Sequence, residues 1–597
     1  MTDTTPLADG FPTVDRAAWR ELAAAALAKS RGPVAAEDAE RLLATPTDDG
    51  YSVHGLYTAA DLAEVPSSAD PGVSDFVRGA LPADDSVDWD VRQRHWVGPG
   101  TAAAVADDLA NGVTSIWLTD GERDDVEAVL AGIDLSAVPV VMEGFRSGTV
   151  LARQLLAAGG SLNPASSLGL DPLGLVAATR RGGDVDDAMD LAAEAQERGI
   201  LALTIDGSVY HDAGASFAEE LGAATASGLA ALRLMIDSGI PPEQAAALVE
   251  FRWVVTDDQF ASIAKLRAAR IMWNRVLELA GLSSPVGQRQ HATTSVAMLT
   301  ARDPWVNLIR NCVAAFAGGV GGAAAVTVEP YSLATGEVDE FAQRMARNTQ
   351  LLLLQESHVG FVSDPAGGSF YVENRTRELA EAGWAWLRDI EAAGGMRAAL
   401  ESGLVAKRLD RTWSLRADRT AHRTAPVTGV SEFPDRERRQ SPTTPWQPTG
   451  GGLPRRRYAQ AFEDLRDRAD AAPHPPTVAL ITLGPLARHA ARETYAQNLF
   501  ASGGIDTVTL PFVAGEPLAL PDGTSVVCIC GTDTDYQESV GDVAAAAIAA
   551  GARRILVAGK PGDRAAVDAD AGVTGHVFVG CDALAVLEQT LADLEVA

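Results

Sequence analysis

The sequence predicts an α/β protein: a (β/α)8 TIM barrel followed by a smaller, doubly wound, flavodoxin-like sheet. Three observations carry that prediction. Apolar runs alternate with long helical patterns across residues 49–415, as parallel strands covered by helices do, and at that length a (β/α)8 barrel is the leading architecture. Apolar periodicity then fails across residues 416–473, where Arg, Pro, Thr and Gly dominate. Finally, residues 474–597 pack five strand-like runs among three helical ones, which suits a doubly wound sheet.

Residues 1–48 come first, with two Ala-rich helical patterns, "RAAWRELAAAALAKS" and "AAEDAERLLAT", separated by Pro. They stand outside the α/β alternation and bury little alone, so they read as an arm that packs on the next domain or embraces a partner. In the barrel segment the strand candidates are "TSIWLTD", "VPVVMEG", "ILALTIDG", "LVEFRWVV", "AAAVTVEPY" and "VGFVSDPA". Helical patterns such as "TAAAVADDLANG", "SGTVLARQLLAAG", "VDDAMDLAAEAQERG" and "DDQFASIAKLRAARIMWNRVLELAG" lie between them. Several strand candidates end in polar or Gly residues, as the functional face of a barrel does. The stretch 416–473 reads as a linker ending in a helix at "RYAQAFEDLRDRADAA". In the last segment, strands "TVALITL", "IDTVTL", "SVVCICG", "RRILVAG" and "HVFVG" alternate with helices "LARHAARETYAQNLFASG", "YQESVGDVAAAAIAAG" and "DALAVLEQTLADLE".

The bulk properties exclude several partners. A net charge of -31 over 597 residues repels nucleic acid and anionic membrane alike. The Arg clusters of the linker are then best read as lying over an acidic body. Cys312, Cys528, Cys530 and Cys581 have no zinc-ligand spacing, so they are expected to be buried free thiols in a reducing, cytoplasmic compartment. The N-terminus has neither the basic nor the apolar region of a signal peptide. The run "CVAAFAGGVGGAAAVTV" is short of about 20 residues and rich in Gly, a poor membrane span.

Five places could carry chemistry. "AGGVGGAAAVTVEP" (317–330) lacks phosphate-loop spacing and runs into a strand, which points to close backbone packing. Tyr210, His211 and Asp212 form the best acid/base cluster, although neighbouring His and Asp on an extended segment point different ways. Arg252 lies inside a strand, where it pairs either with an anionic ligand or with a structural carboxylate. Arg289, His291 and Arg302 could line an anion site or a hydrogen-bonded barrel rim. "LGPLARHAARE" (483–493) occupies the strand-to-helix turn where α/β domains bind ligands. It has neither the glycine cluster of a phosphate turn nor a His backed by a carboxylate.

"FASIAKLRAARIMW", "QHATTS…LTARDPWVNLIRNCVAAFAGG" and "FAQRMARNTQLLLLQESHVGFVSDPAGGSFYVE", with "GLYTAADL" near residue 55, strongly resemble the methylmalonyl-CoA mutases. The resemblance covers about residues 50–597. It implies a substrate-binding barrel followed by a cobalamin-type domain. It also implies isomerase chemistry that interconverts (R)-methylmalonyl-CoA and succinyl-CoA, with adenosylcobalamin as the radical source. The family comes as single catalytic chains and as heterodimers of a large active and a smaller inactive subunit.

Carried over residue by residue, the resemblance implies the inactive kind. In catalytic chains the turn reads DxHxxG, its His ligating cobalt. Counted from Gly484, those positions here are Leu486, Arg488 and Ala491. A guanidinium has only donors and a permanent charge, so it cannot ligate, and the carboxylate that would orient a ligating His is an apolar Leu. His489 is one residue off register. The elements that cradle the cofactor's nucleotide tail are "GTDTDY" and "AGKPGD", placing Asp533 and Lys560 where small residues are expected. The histidine-bearing barrel stretch matches Val320–Glu329, which has no His, and the tyrosine-bearing segment matches "LPADDSVDW", which has no Tyr. A catalytic His position falls on Val209, and the TMT and QND segments have no counterpart between 140 and 200. The implication is a chain with no catalytic, cofactor-binding or metal-ligating residue of its own, pairing with a large subunit that holds cofactor and acyl-CoA. Two other readings stay open: a self-sufficient cobalamin mutase with an atypical site, and a scaffold for another acyl-CoA mutase.

Overall fold

The computed structural model describes residues 14–62, 70–73, 75–80, 88–119, 123–143, 149–282, 286–436 and 451–596. A two-residue ladder, β1 (Thr45–Pro46) with β2 (Ser52–Val53), precedes a closed barrel of eight strands. These are β3 (Asp90–Trp96), β4 (Ser115–Thr119), β5 (Val140–Glu143), β6 (Ser167–Leu170), β7 (Leu201–Asp206), β8 (Val249–Val255), β9 (Arg289–Thr294) and β10 (Ala325–Thr327). Every neighbouring pair is parallel, and β10 closes onto β3. The barrel is the α/β architecture expected from the alternation.

The alternation along each strand separates two environments. On β8, Phe251 and Trp253 face the helices, stacked at 5.7 Å, with Trp273 of helix Gln259–Leu279 4.8 Å from Phe251. The intervening Glu250 and Arg252 point into the barrel. The long helices begin where their sequences supply caps. Ser216 and Glu219 form a reciprocal capping box on helix Phe217–Asp237, and Asp258 caps helix Gln259–Leu279.

Five of the six barrel strand candidates are strands. "VGFVSDPA" is not: Val359–Phe361 is a single 3-10 turn, flanked by His358 and Asp364 with φ of 50° and 49°. Left-handed backbone at both ends breaks any strand register, and Asp364 is held there by ion pairs to Arg78 and Arg267. The glycine run packs backbone closely, as expected. It ends helix Val306–Val320 and enters β10.

The linker region carries helix Leu404–Ala421 and helix Gln460–Ala471. Between them, residues 451–458 form a strap across the barrel mouth. Leu453 N–H donates to Ala177 O at 2.7 Å, Arg456 N–H to Asp212 O at 2.8 Å and Tyr458 N–H to Ala297 O at 2.9 Å. Gly452 lies so close to Ala178 that a Cβ would fall 2.2 Å from its carbonyl carbon. The strap's arginines end on acidic side chains, Arg455 on Asp212, Arg456 on Asp410 and Arg457 on Glu463. A basic linker lying over acidic groups is what the charge pattern suggested.

The last segment forms a five-stranded parallel sheet of β11 (Thr477–Thr482), β12 (Asp506–Pro511), β13 (Val526–Cys530), β14 (Arg554–Ala558) and β15 (Gly575–Val577). Its order, β12-β11-β13-β14-β15, is the flavodoxin-like 2-1-3-4-5 arrangement. Cys528, Cys530 and Cys581 are buried free thiols. Cys312 is exposed, a correction to the expectation, because helix Val306–Val320 turns Asn311 and Ala314 inward and Cys312 to solvent. Among the described residues, no helix is long and apolar enough to cross a membrane.

A Cβ on Gly319 would meet the Trp89 ring at 2.3 Å. Gly319→Ala should therefore destabilise the barrel by about 1–3 kcal/mol through overpacking, read as a lower urea midpoint with unchanged slope.

Candidate functional site

The C-terminal ends of the barrel strands, where a barrel binds its ligand, converge on the indole of Trp117. Arg252 and Arg94 stack over its ring at 3.8 and 4.3 Å. Arg252 pairs with Asp206 at 2.6 Å and Glu143 at 3.5 Å. Arg94 pairs with Glu329 at 2.9 Å and with Glu143 at 3.3 Å. One level down, Glu250 is shared by Arg92 at 3.0 Å and Arg289 at 3.3 Å. Arg252 thus has structural carboxylate partners, which resolves the choice left by the sequence.

His291 belongs to the same network. Arg252 Nε donates to its Nδ1 at 3.2 Å, which puts the imidazole proton on Nε2, 2.8 Å from Thr327 Oγ1. Burial, followed by the charges of Arg92, Arg252 and Arg94, holds its pKa well below the usual value, so the ring is neutral. Arg289 sits at the Glu250 level. Arg302 is elsewhere, reaching Asp467 at 2.5 Å and Asp470 at 2.6 Å on helix Gln460–Ala471, where it ties that helix to the barrel.

Tyr210, His211 and Asp212 lie on a short helix, Ser208–Asp212, after β7, and the three diverge. Tyr210 shares a hydrogen bond with Ser227 at 2.8 Å, and Asp212 pairs with Arg455 of the strap. His211 Nε2 lies 2.8 Å from Ser295 Oγ, and its Nδ1 is 3.3 Å from Glu220. That spacing is the geometry of a nucleophile relay. Ser295, however, is wholly buried, and its oxygen also accepts from Met298 N–H at 3.2 Å. Glu220 is committed to Lys265 at 2.7 Å. Burial alone would raise the Glu220 pKa, but Lys265 and His211 hold it below normal. The cluster anchors the strap: Tyr458 OH lies 3.5 Å from His211 Nε2.

Sequence reasoning missed the acidic partners Glu143, Asp206, Glu220, Glu250 and Glu329, and the buried Lys265. A carboxylate or ammonium inside an apolar strand or helix pattern was the available signal. Val209, where the resemblance implies a histidine, lines a mouth cavity of about 70 Å³ with Ser208 and Asp212. Of "LPADDSVDW", residues 81–87 lie outside the described residues, and Trp89 packs on Gly319.

In the C-terminal sheet the turn after β11 leads into helix Leu486–Ser502. Leu486 is 67% exposed, and Arg488 is ion-paired to Asp535. Arg492 reaches Asp533 at 2.6 Å and Gly531 O at 2.9 Å. Arg492 and Arg564 both stack on Tyr536 at 5.0 Å. The Tyr536 hydroxyl donates to Ala558 O at 2.7 Å and accepts from Gly531 N–H at 2.8 Å, so its ring covers the ends of β13 and β14. His489 is 8% exposed with Nε2 at 3.5 Å from Glu493, and its Nδ1 is enclosed without a partner. These residues do not fit a corrinoid ligated from this turn: Arg488 offers no lone pair, and His489, one residue further on, has its Nδ1 enclosed and its Nε2 beside the Glu493 carboxylate. Among the described residues, no group of three or more His, Cys, Asp and Glu side chains could hold a metal ion.

Two measurements check this electrostatic description. Arg252→Met leaves Asp206 buried without its cation and should cost about 3–5 kcal/mol, read by urea unfolding at constant pH. Asp171 accepts from Gly174 and Asp206 N–H groups at 2.8 and 2.9 Å, yet burial lifts its pKa to about 7. An unfolded Asp releases its proton near ~3.9. The folded state therefore holds the extra proton across the interval between, and this group's contribution to stability falls as the pH climbs from ~4 to ~7. The Asp171 carboxyl carbon should titrate near pH 7 by NMR.

Comparison with known proteins agrees with this architecture. The methylmalonyl-CoA mutase family profile matches residues 184–484. A Streptomyces virginiae protein named methylmalonyl-CoA mutase small subunit is 44% identical over 624 residues, spanning 100% of this chain and 99% of its own. A Mycobacterium bovis protein named probable methylmalonyl-CoA mutase small subunit is 40% identical over 575 residues, 91% of this chain and 92% of its own. A Porphyromonas gingivalis methylmalonyl-CoA mutase large subunit is 32% identical over 234 residues, only 39% of this chain and 33% of its own. End-to-end similarity to small subunits, on a closed eight-stranded barrel, places the chain in the methylmalonyl-CoA mutase family.

Proposed function

We propose that this chain is the structural subunit of a heterodimeric methylmalonyl-CoA mutase, an isomerase whose large subunit holds adenosylcobalamin and the acyl-CoA. The chain's role is to stabilise that partner through an extensive interface, to which the arm at residues 1–48 contributes. The observation that carries the reading is the filling of both places where ligands would bind. At the barrel mouth, Arg94 and Arg252 are both committed to the carboxylates of Glu143, Asp206 and Glu329 around Trp117, so neither guanidinium is left for a substrate carboxylate. At the end of the second sheet, Arg488, Arg492 and Tyr536 occupy the ligand turn, which supports reading it as a cobalamin-type domain without its cofactor. The similarity to named small subunits over the full chain supports the same reading.

Adenosylcobalamin titrated into the isolated chain should leave the cofactor's visible spectrum unchanged, and mutase activity should require co-expression with a large subunit. A histidine-ligated, base-off spectrum on the isolated chain would instead favour a self-sufficient mutase, with His489 the residue to replace next.

A further inference from the structure

Helix Val306–Val320, on the outside of the barrel, is amphipathic the wrong way round for a surface in water. A surface helix ordinarily turns its polar residues outward. Here the polar side chains, Asn307, Arg310 and Asn311, are only 0, 7 and 1% exposed. Main-chain oxygens hold each of them inward. Asn307 Nδ2 donates to Thr300 O and to Tyr331 O, both at 2.8 Å, Arg310 Nη2 to Thr428 O at 2.7 Å, and Asn311 Nδ2 to Glu329 O at 2.7 Å. These bonds fix the rotation of the helix about its axis. Its solvent face is therefore left to the remaining residues, every one of them Ala, Gly, Cys or a larger apolar residue. Trp305, Ile309, Cys312 and Phe316 recur at helical spacing as an outward stripe, with Trp305 53% and Ile309 67% exposed.

The stripe belongs to a larger apolar area. Phe316 shares a cluster with Val359 and Tyr371, and Tyr371 meets Phe260 edge-on at 5.2 Å. Phe361, Val362 and Phe370 adjoin these residues along the chain, and with Phe260 they are 40–78% exposed. With about 150–250 Å² per aromatic side chain, the exposed part comes to on the order of 600 Å². That is the upper end for a monomer, and most of the about 800 Å² that one partner contributes to a standard interface. On its other side the stripe borders the end of the arm: Val306, Ile309 and Val313 line one groove with Thr45, Pro46 and Val53. A second copy of this chain would bring another net charge of -31 to the contact, and the same charge repels an anionic lipid surface.

We propose that the face formed by Trp305, Ile309, Cys312 and Phe316, with the adjoining Phe361, is where the catalytic large subunit docks through an apolar patch of its own. The inference rests on the pairing proposed above and adds its location.

The test follows Cys312, the exposed thiol within the stripe, while Cys528, Cys530 and Cys581 are buried. The chain alone and the heterodimer co-expressed with a large subunit are alkylated with iodoacetamide, and the peptide carrying residue 312 is quantified by mass spectrometry. Cys312 should react in the isolated chain and at least about tenfold more slowly in the heterodimer, where the contact excludes solvent. Ile309→Glu, at an exposed site, should keep the isolated chain's urea midpoint and weaken pairing by roughly a hundredfold, because it buries an unpaired charge at the contact. Phe361→Asp is the second variant if Ile309→Glu does not fold. A wild-type heterodimer in which Cys312 reacts as fast as in the isolated chain, or normal pairing by both variants, would overturn the location and leave the pairing intact. Failure of the wild-type chains to pair at all would instead remove the proposed function, and this inference with it. Protection of Cys312 in the isolated chain as its concentration rises would overturn the proposal in favour of a self-associating face.

Discussion

Everything at the barrel mouth depends on charge compensation inside a space from which water is largely removed. Arg94 and Arg252 cannot be buried singly, because each would bear the full cost of desolvation. They are tolerated because Glu143 sits between them at 3.3 and 3.5 Å, with Glu329 and Asp206 on the outer sides. The result is an alternating row of charges that joins β3, β5, β7, β8 and the end of β10, with the Trp117 ring as its floor. Such a row is cohesive rather than strongly stabilising: it roughly breaks even as a set, while loss of one member exposes the rest. That makes the mouth an all-or-none unit. The strap inherits the same logic, since Arg455 neutralises Asp212 beside the row.

The second sheet solves an equivalent problem with the same residue types. Its strand order leaves a crevice at the ends of β11 and β13, where the chain reverses direction across the sheet. Arg488 with Asp535, and Arg492 with Asp533, bridge the first helix of this sheet to the next. Tyr536 lies beneath two guanidinium groups with its hydroxyl bound to main chain on both sides. Arginine–carboxylate pairs therefore occupy the ligand-binding end of both α/β units, and helix Gln460–Ala471, gripped by Arg302 and Arg457, holds the units together.

What the sequence disclosed follows from which residues face helices. β4, β5, β7 and β8 are buried on all sides and rich in apolar residues, so they stand out as runs. The strands "DVRQRHW" and "RQHATT" escaped that reading because their inward positions are the polar plug itself: Arg92 and Arg94 on β3, Arg289 and His291 on β9. β6, "SLGL", is too short and irregular in register to stand out. "VGFVSDPA" misled in the opposite direction, its apolar residues belonging to a turn whose exposed Phe361 and Val362 are 78 and 56% accessible. The candidate site divides in the same way. That Arg488 and Leu486 stand where the resemblance implies a ligating His and its carboxylate was legible from the aligned turn, and side-chain chemistry says that neither can take those roles. The pairing of Arg252 with Asp206 and Glu143 was not, since it joins residues 46 and 109 positions apart, and only barrel closure brings them together.

The buried Lys265–Glu220 pair has a practical corollary in chemical labelling. The sequence contains four lysines, Lys29, Lys265, Lys407 and Lys560. Three are exposed, while the Lys265 ammonium is wholly enclosed, bonded to Glu220 and to the Val254 carbonyl. Amine-directed reagents therefore see three lysine side chains on the folded chain and the fourth only when helix Gln259–Leu279 parts from β8. The modification rate of this one amine, against the steady background of the other three, is a clock for barrel opening written into the protein's own composition.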